Sequence, residues 1–496
     1  MNKGGKSDGP VVPAKRPNNA GDAAAEAVEE RGPAKGNTDS KPRPVRRDGD
    51  DVPHALARVR EAARRDRTAR FTALLHHVTD RLRAGYRAIK PSAAPGVDEV
   101  TWQEYGRNLE GNLEDLHGRI HRGSYRAKPS RRTYIPKPDG RQRPLGIASL
   151  EDKIVQRAVV EVLNEVYEAD FLGFSYGFRP GRGPHDALDA LAVGIRSKNV
   201  NWVLDADIRD FFSSLDRDWM RRFLEHRMAD ERVLRLIDKW LNAGIIEDGR
   251  WSDDGQGTPQ GASVSPLLAN VYLHYVFDTW AHAWRKRHAT GDVVIVRYAD
   301  DITIGFEHES DARRFQTDLA ERLAKFSLEL SEDKTRLIEF GRFAAQNRRR
   351  RGLGRPETFT FLGFVHICST TRGGARFQLK RVTSTKRMHA KLHDINVKLK
   401  RMKHLPIPIQ GAWLASVVRG YYAYYAVPVN GRAMSRFRHQ VVRLWFAALR
   451  RRSQRTSLTW GRMNRLAARW IPPVRIYHPW PERRFDAKTQ GRSPVR

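Results

Sequence analysis

Residues 293–306 read Val293-Val294-Ile295-Val296-Arg297-Tyr298-Ala299-Asp300-Asp301-Ile302-Thr303-Ile304-Gly305-Phe306. An apolar β-branched run, a break at Tyr298–Asp301 and the alternating Ile302, Ile304 and Phe306 predict a strand, a turn and a strand. Asp300 and Asp301 would then sit on rigid strands at a tight bend and repel each other. A divalent cation relieves such repulsion. Most Asp-Asp pairs are solvated acidic turns, so this one needs company to mean more.

Company lies upstream. In Trp202-Val203-Leu204-Asp205-Ala206-Asp207-Ile208, Trp202, Leu204, Ala206 and Ile208 face one way and Val203, Asp205 and Asp207 the other. Alternation does not choose between Asp205 and Asp207. A third carboxylate on a neighbouring strand would complete a site for two Mg²⁺ ions, the arrangement used in nucleotidyl transfer.

Working outward, Arg132–Pro136 and Arg141–Ile147 flank Lys137-Pro138-Asp139-Gly140, a hairpin signal. Helical stripes are expected over 54–90, 151–168, 230–243 and 266–280, and at Phe315, Leu319, Leu323 and Phe326, with a short strand at 328–330. The strands and helices lack regular βαβ alternation, so the fold class expected is α+β. After Gly363 the chain is expected to be largely helical, with stripes at Phe437, Val441, Val442, Trp445 and Leu449 and at Trp460, Met463, Leu466, Ala467 and Trp470. Residues 1–52 are poor in large apolar side chains and are expected to be disordered.

The chain has 496 residues and a formal net charge of +33. Residues 365–496 carry 29 basic and three acidic side chains, a net of +26, so most of the excess sits in the last quarter. A near-neutral body with so basic an end suggests an enzyme core with a nucleic-acid clamp. No apolar run reaches membrane-spanning length. The single cysteine, Cys368, excludes internal disulfides and paired-cysteine zinc sites. A bacterial cytoplasmic location is the expectation.

Tyr298-Ala299-Asp300-Asp301 resembles the catalytic box of reverse transcriptases, and Asp207-Ile208-Arg209-Asp210-Phe211-Phe212 their first metal motif. Thr258-Pro259-Gln260-Gly261 through Ser265–Asn270 is similar to the template-and-nucleotide loop between them. Leu328–Ser331 with Lys334-Thr335, and Phe359–Phe364, resemble the next two blocks, in the right order. Arg141–Ile147 and Phe174–Gly181 are similar to the group II intron branch, and Trp413–Tyr425 to its maturase segment. The chain is identified as a member of the group II intron reverse transcriptase/maturase family, the resemblance covering roughly 90–480.

That resemblance implies a right-hand polymerase fold: an N-terminal extension and fingers over 53–200, a palm over 201–364, a helical thumb/maturase domain over 365–480 and a tail over 481–496. Family spacing selects Asp207 over Asp205. It implies Asp207, Asp300 and Asp301 as catalytic residues, Asp207, Ile208, Asp300 and Asp301 as the metal set, and two Mg²⁺ as cofactor. It implies nucleotide contacts from Lys137, Arg143 and Gln260, Phe212 as a gate against the ribose 2′-hydroxyl, and Lys334 as a proton donor to pyrophosphate or a plain surface lysine. Interleaved basic and aromatic residues suit RNA, with Arg419, Arg450, Arg451 and Arg452 as candidate contacts. Ser213 and Ala262-Ser263 depart from the family pattern and bear on template geometry.

The implied function is RNA-directed DNA synthesis from dNTPs, with binding of intron RNA to assist splicing and mobility. Partners would be intron RNA, an RNA template with DNA primer, and target DNA, with no membrane; a homodimer is left open. No Cys/His-rich nuclease segment is present, so no DNA-strand cleavage is expected. The rivals are a reverse transcriptase of a retron, diversity-generating or defence system, and a catalytically inactive RNA-binding splicing factor.

Overall fold

The computed structural model describes residues 52–136, 142–247, 249–253, 257, 261–371, 373–374, 376–452 and 458–489. The expected tail up to residue 51, the turn 137–140 with Lys137, and Gln260 lie outside the described residues. Their strands are β1 (Ser130–Pro136), β2 (Gln142–Ile147), β3 (Trp202–Asp207), β4 (Ile245–Glu247), β5 (Arg250–Ser252), β6 (Val293–Tyr298), β7 (Asp301–Phe306), β8 (Arg336–Glu339), β9 (Phe359–Phe361), β10 (Phe364–Thr370) and β11 (Phe377–Thr383). The protein is mixed α/β.

Two compact units interleave along the chain. One takes residues up to 182, with 208–286 and 318–330; the other takes 183–207, 287–317 and 331–496. Neither coincides with a linear segment, because strands far apart in sequence pair.

In the first unit β1 and β2 form the expected antiparallel hairpin, with Ile135 opposite Arg143, inside a sheet of order β2-β1-β4-β5. The helix Leu150–Tyr167 starts at Ser149, whose hydroxyl accepts from the Asp152 amide at 3.2 Å. Its predicted stripe of Ile154, Val155, Ala158, Val159, Val162 and Val166 is fully buried, and burying each such side chain is worth roughly 1.5–3 kcal/mol for the larger ones. The Phe174–Gly181 motif is architectural here. Arg179 is buried, forks onto both carboxylate oxygens of Glu168 at 2.9 Å, and donates to the Leu172 and Ser175 carbonyls.

The second unit is built on a sheet of order β6-β7-β3-β8 and a smaller one of order β11-β10-β9. The helices Thr385–Arg401, Ile407–Tyr425, Gly431–Arg450 and Trp460–Trp470 then enclose a core containing Leu399, Leu414, Phe437, Val441 and Trp445. Trp445 donates to Gln410 at 3.0 Å, so its polar edge is satisfied in that core.

Five expectations need correction. The stretch 54–90 is not one helix but Val52–Arg65, Leu75–Asp80 and Leu82–Ala88, interrupted where Phe71 bridges to Met228. The helix from 265 passes through a π turn at His274–Asp278 before continuing as Thr279–Arg287. The stretch 328–330 supplies only the bridge from Leu330 to Ile208. After Gly363 two seven-residue strands, β10 and β11, precede the helices; Val365, Ile367 and Val382 suit strands, and Cys368 lies in β10. The stretch 481–496 is not a plain tail: Pro481–Thr489 is a helix with Phe485 buried, and Arg484 ion-pairs with the buried Asp189.

Candidate active site

β6 and β7 meet in a two-residue turn, with Tyr298 opposite Asp301. Ala299 holds the left-handed backbone, φ 56°, where glycine is the ordinary occupant. The fully buried Arg297 fixes this bend by donating to the Ala299 carbonyl at 3.0 Å. Sequence reasoning missed Arg297. The available signal was one lone charge inside an apolar strand beside two aspartates.

Asp207 is the register partner of Asp301 across the β3–β7 pair. Such partners share a sheet face with Cβ atoms about 4.5–5.5 Å apart. Asp205 lies two residues deeper on that face, flanked by Thr303 on β7 and Arg336 on β8. The β8 pairing ends at Asp205, leaving Asp207 at the open end of the strand. This register separates two aspartates that alternation left equivalent.

The electrostatics follow. The Asp301 side chain keeps solvent-accessible surface, yet the protein packed around it desolvates the carboxyl. That desolvation, then Asp300, Asp207 and Asp205, push it up to about 7 against the opposing pull of Arg387. Burial likewise raises Asp205 to about 6, opposed by Arg336. The Lys334 ammonium forms an ion pair with the Asp207 carboxylate. The segment after it clasps the Asp207 backbone: the Ser331 amide donates to the Asp207 carbonyl at 2.8 Å, and the Asp207 amide donates to Thr335 Oγ1 at 3.4 Å. Thr335 too was visible in sequence only as part of a motif.

Among the described residues no three His, Cys, Asp or Glu side chains are already drawn together as an ion cage. The Asp207 and Asp300 carboxylates are nevertheless near enough to help raise the Asp301 carboxyl, and oxygen donors are the kind that a hard divalent cation takes. Ile208 has no side-chain donor, so only its carbonyl could contribute.

Arg143, Ile208 and Phe212 belong to the other compact unit. Arg143 is exposed on β2. Phe212 is half-buried and packs against Phe211 with ring centroids 5.3 Å apart. Gly257, at φ 75°, lies so close that a Cβ would meet the Phe212 carbonyl at 2.8 Å, so this turn requires glycine.

Of the candidate RNA contacts, Arg419 and Arg451 are exposed, and Arg450 is exposed with its guanidinium 5.7 Å from the Phe446 ring. Arg452 departs from the expectation of a phosphate contact. Its guanidinium donates to the Lys403 and Leu405 carbonyls, tying off the turn after the helix Thr385–Arg401. The Gln410 amide donates to the same two carbonyls, at 3.3 Å and 3.1 Å, so Arg452 shares them.

Residues 135–366 match the family described as reverse transcriptase (RNA-dependent DNA polymerase). The chain is 35% identical over 205 residues to protein YkfC of Escherichia coli, a match covering 41% of this chain and 53% of that one. It is 38% identical over 153 residues to group II intron-encoded protein LtrA of Lactococcus lactis subsp. cremoris, covering 31% of this chain and 25% of that one. It is 43% identical over 146 residues to an uncharacterized 91 kDa protein in the cob intron of Schizosaccharomyces pombe, covering 29% and 18%. The chain thus spans about half the length of the first relative and a quarter or less of the other two. The carboxylate-bearing hairpin and β3 both fall inside the stretch that matches reverse transcriptases, and the relatives that the chain resembles include a group II intron-encoded protein.

Proposed function

We propose that this chain is an RNA-directed DNA polymerase that also binds group II intron RNA, assisting splicing and intron mobility by target-primed reverse transcription. The observation that carries this reading is the placement of Asp301 opposite Asp207, beside Asp300, within the matched stretch. Asp207, Asp300, Asp301 and the Ile208 carbonyl would hold two Mg²⁺. When bound, these ions supply activation of the primer 3′-hydroxyl and charge stabilisation on the triphosphate. Arg297 and the Ala299 turn keep Asp300 and Asp301 at the strand end. Lys334 ion-pairs with Asp207 in the free protein and is the candidate proton donor to pyrophosphate. Lys137, Arg143 and Gln260 are assigned to the incoming dNTP, and Phe212 to exclusion of the ribose 2′-hydroxyl. Arg419, Arg450 and Arg451 are assigned to RNA phosphates. The segments 53–200, 201–364 and 365–480 are assigned as extension with fingers, palm, and thumb/maturase. Among the described residues no helix is long and apolar enough to cross a membrane, and we assign the protein to the bacterial cytoplasm.

The test is extension of a DNA primer on an RNA template with Mg²⁺, run beside sequencing of RNA that co-purifies with the full chain. The reading expects extension and enrichment of one structured intron RNA. Extension without such RNA favours a reverse transcriptase of another system. Enriched RNA without extension favours a splicing factor that has lost catalysis.

A further inference from the structure

The helices Gly431–Arg450 and Trp460–Trp470 border an open groove of ≈ 880 Å³ whose lining includes Arg438, His439, Val442, Trp460, Asn464 and Val474. Trp460 was expected in the core stripe of its helix, yet it is 46% exposed. Phe446 stacks on the indole with ring centroids 4.1 Å apart and planes within 20°. The ring is therefore held in place while much of it remains accessible in the groove. Arg438 is fixed as a wall, donating to the carbonyls of Pro472 at 3.1 Å and Ile471 at 3.4 Å.

One bank is basic. Arg432, Arg436, His439 and Arg443 are exposed at successive four-, three- and four-residue steps, which places them in one stripe. Arg462, Arg465 and Arg469 are also exposed, but at about 3.6 residues per turn they lie on the face of the second helix opposite Trp460 and Asn464, away from the groove. No acidic residue occurs between Asp394 and Glu482. A pre-stacked indole beside a basic stripe fits a polynucleotide whose base is free to stack and whose flanking phosphates meet arginine.

We propose that this groove seats an unpaired nucleotide of single-stranded RNA, its base against Trp460 and its neighbouring phosphates on the Arg432–Arg443 stripe. His439 and Asn464 supply polar groups to the base edge. A duplex keeps its bases stacked on one another and offers none to the indole. An acidic peptide would satisfy the arginines but leave the indole without a partner. The proposal deepens the RNA-binding part of the reading above and names the form of RNA taken.

The test uses the full chain and a short single-stranded RNA carrying 2-aminopurine, whose fluorescence is quenched on stacking. The wild type should quench it and bind with a steep salt dependence. Trp460→Leu should lose the quench and weaken binding by about fivefold to a hundredfold, the range of one base–aromatic stack. Arg436→Gln with Arg443→Gln should keep the quench at saturation and flatten the salt slope by about 0.7 per lost phosphate contact. Asn464→Asp changes only an exposed side chain and should also weaken binding, which keeps the test decisive if Trp460→Leu misfolds. Unaltered quench and affinity in Trp460→Leu or in Asn464→Asp would overturn the proposal, as would equal competition by the fully paired RNA or by polyglutamate. The polymerase reading fails separately: quenching without primer extension leaves the groove standing, and extension without quenching leaves the polymerase standing.

Discussion

Asp207 and Asp301 face each other as register partners across the β3–β7 pair, and among the described residues the only cation in an ion pair with either is the ammonium of Lys334, on Asp207. Like charges directly opposite on a sheet destabilise it. Desolvation adds to this by pushing the Asp301 carboxyl up to about 7. The half-exposed lysine offsets little of that, because solvent screens such pairs. The arrangement is unfavourable for folding and suited to binding positive charge.

Removing one of these charges should therefore stabilise the protein. In buffer with a chelator, Asp301→Asn should gain about 0.2–1 kcal/mol by relief of cross-strand repulsion, raising the melting temperature by roughly 1–3 °C. Thermal unfolding of wild type and variant side by side measures this. A lower melting temperature for Asp301→Asn would mean that the carboxylate is held by favourable contacts instead.

The bend that carries the aspartates is strained at Ala299, φ 56°. Ala299→Gly removes the Cβ from a left-handed position that costs L-residues about 1–2 kcal/mol, against the roughly 0.5–1 kcal/mol that glycine's extra freedom costs. Its urea midpoint should equal or modestly exceed that of the wild type. Ala299→Val, β-branched, should lose more than the glycine variant gains and should reduce primer extension. Equal stability of the two variants would show that the turn relaxes freely, and that Arg297 does not fix it.

His366 supplies a pH test away from the carboxylates. It is fully buried on β10, between Phe359 on β9 and Arg381 on β11, and stacks on Phe359 at 4.6 Å with planes within 7°. Burial first, then Arg381, push its imidazole down to about 3. The unfolded chain protonates it near pH 6.5, while the folded chain keeps it neutral to about 3. Stability from this residue is thus complete above pH 6.5 and falls as pH drops toward 3. His366→Phe should flatten the fall by about one proton, or about 1.4 kcal/mol per pH unit. Urea unfolding at pH 7.5, 5.5 and 4.5 measures it. Parallel curves for both proteins would contradict neutral burial.

Much of this was legible in the sequence because it is periodic. The β6–β7 hairpin, β3, the Leu150–Tyr167 stripe and the Phe437–Leu449 stripe all stand where alternation and helical spacing put them. What escaped depends on contacts between distant segments. Asp205 and Asp207 are equivalent until β8 is seen to end at Asp205. Arg452 belongs to a basic run, and only the fold shows it bonded to carbonyls some fifty residues away. Trp460 lies on the apolar stripe of its helix, yet the neighbouring helix offers it Phe446 rather than a closed core.

The most direct measurement is RNA-templated extension of a DNA primer with Mg²⁺ by wild type, Asp207→Asn and Asp205→Asn. Asp207 lies opposite Asp301 at the open strand end, while Asp205 sits deeper beside Thr303 and Arg336. Losing an oxygen-donor charge from the metal set should abolish synthesis in Asp207→Asn, and Asp205→Asn should retain substantial activity. An active Asp207→Asn beside a dead Asp205→Asn would contradict the account.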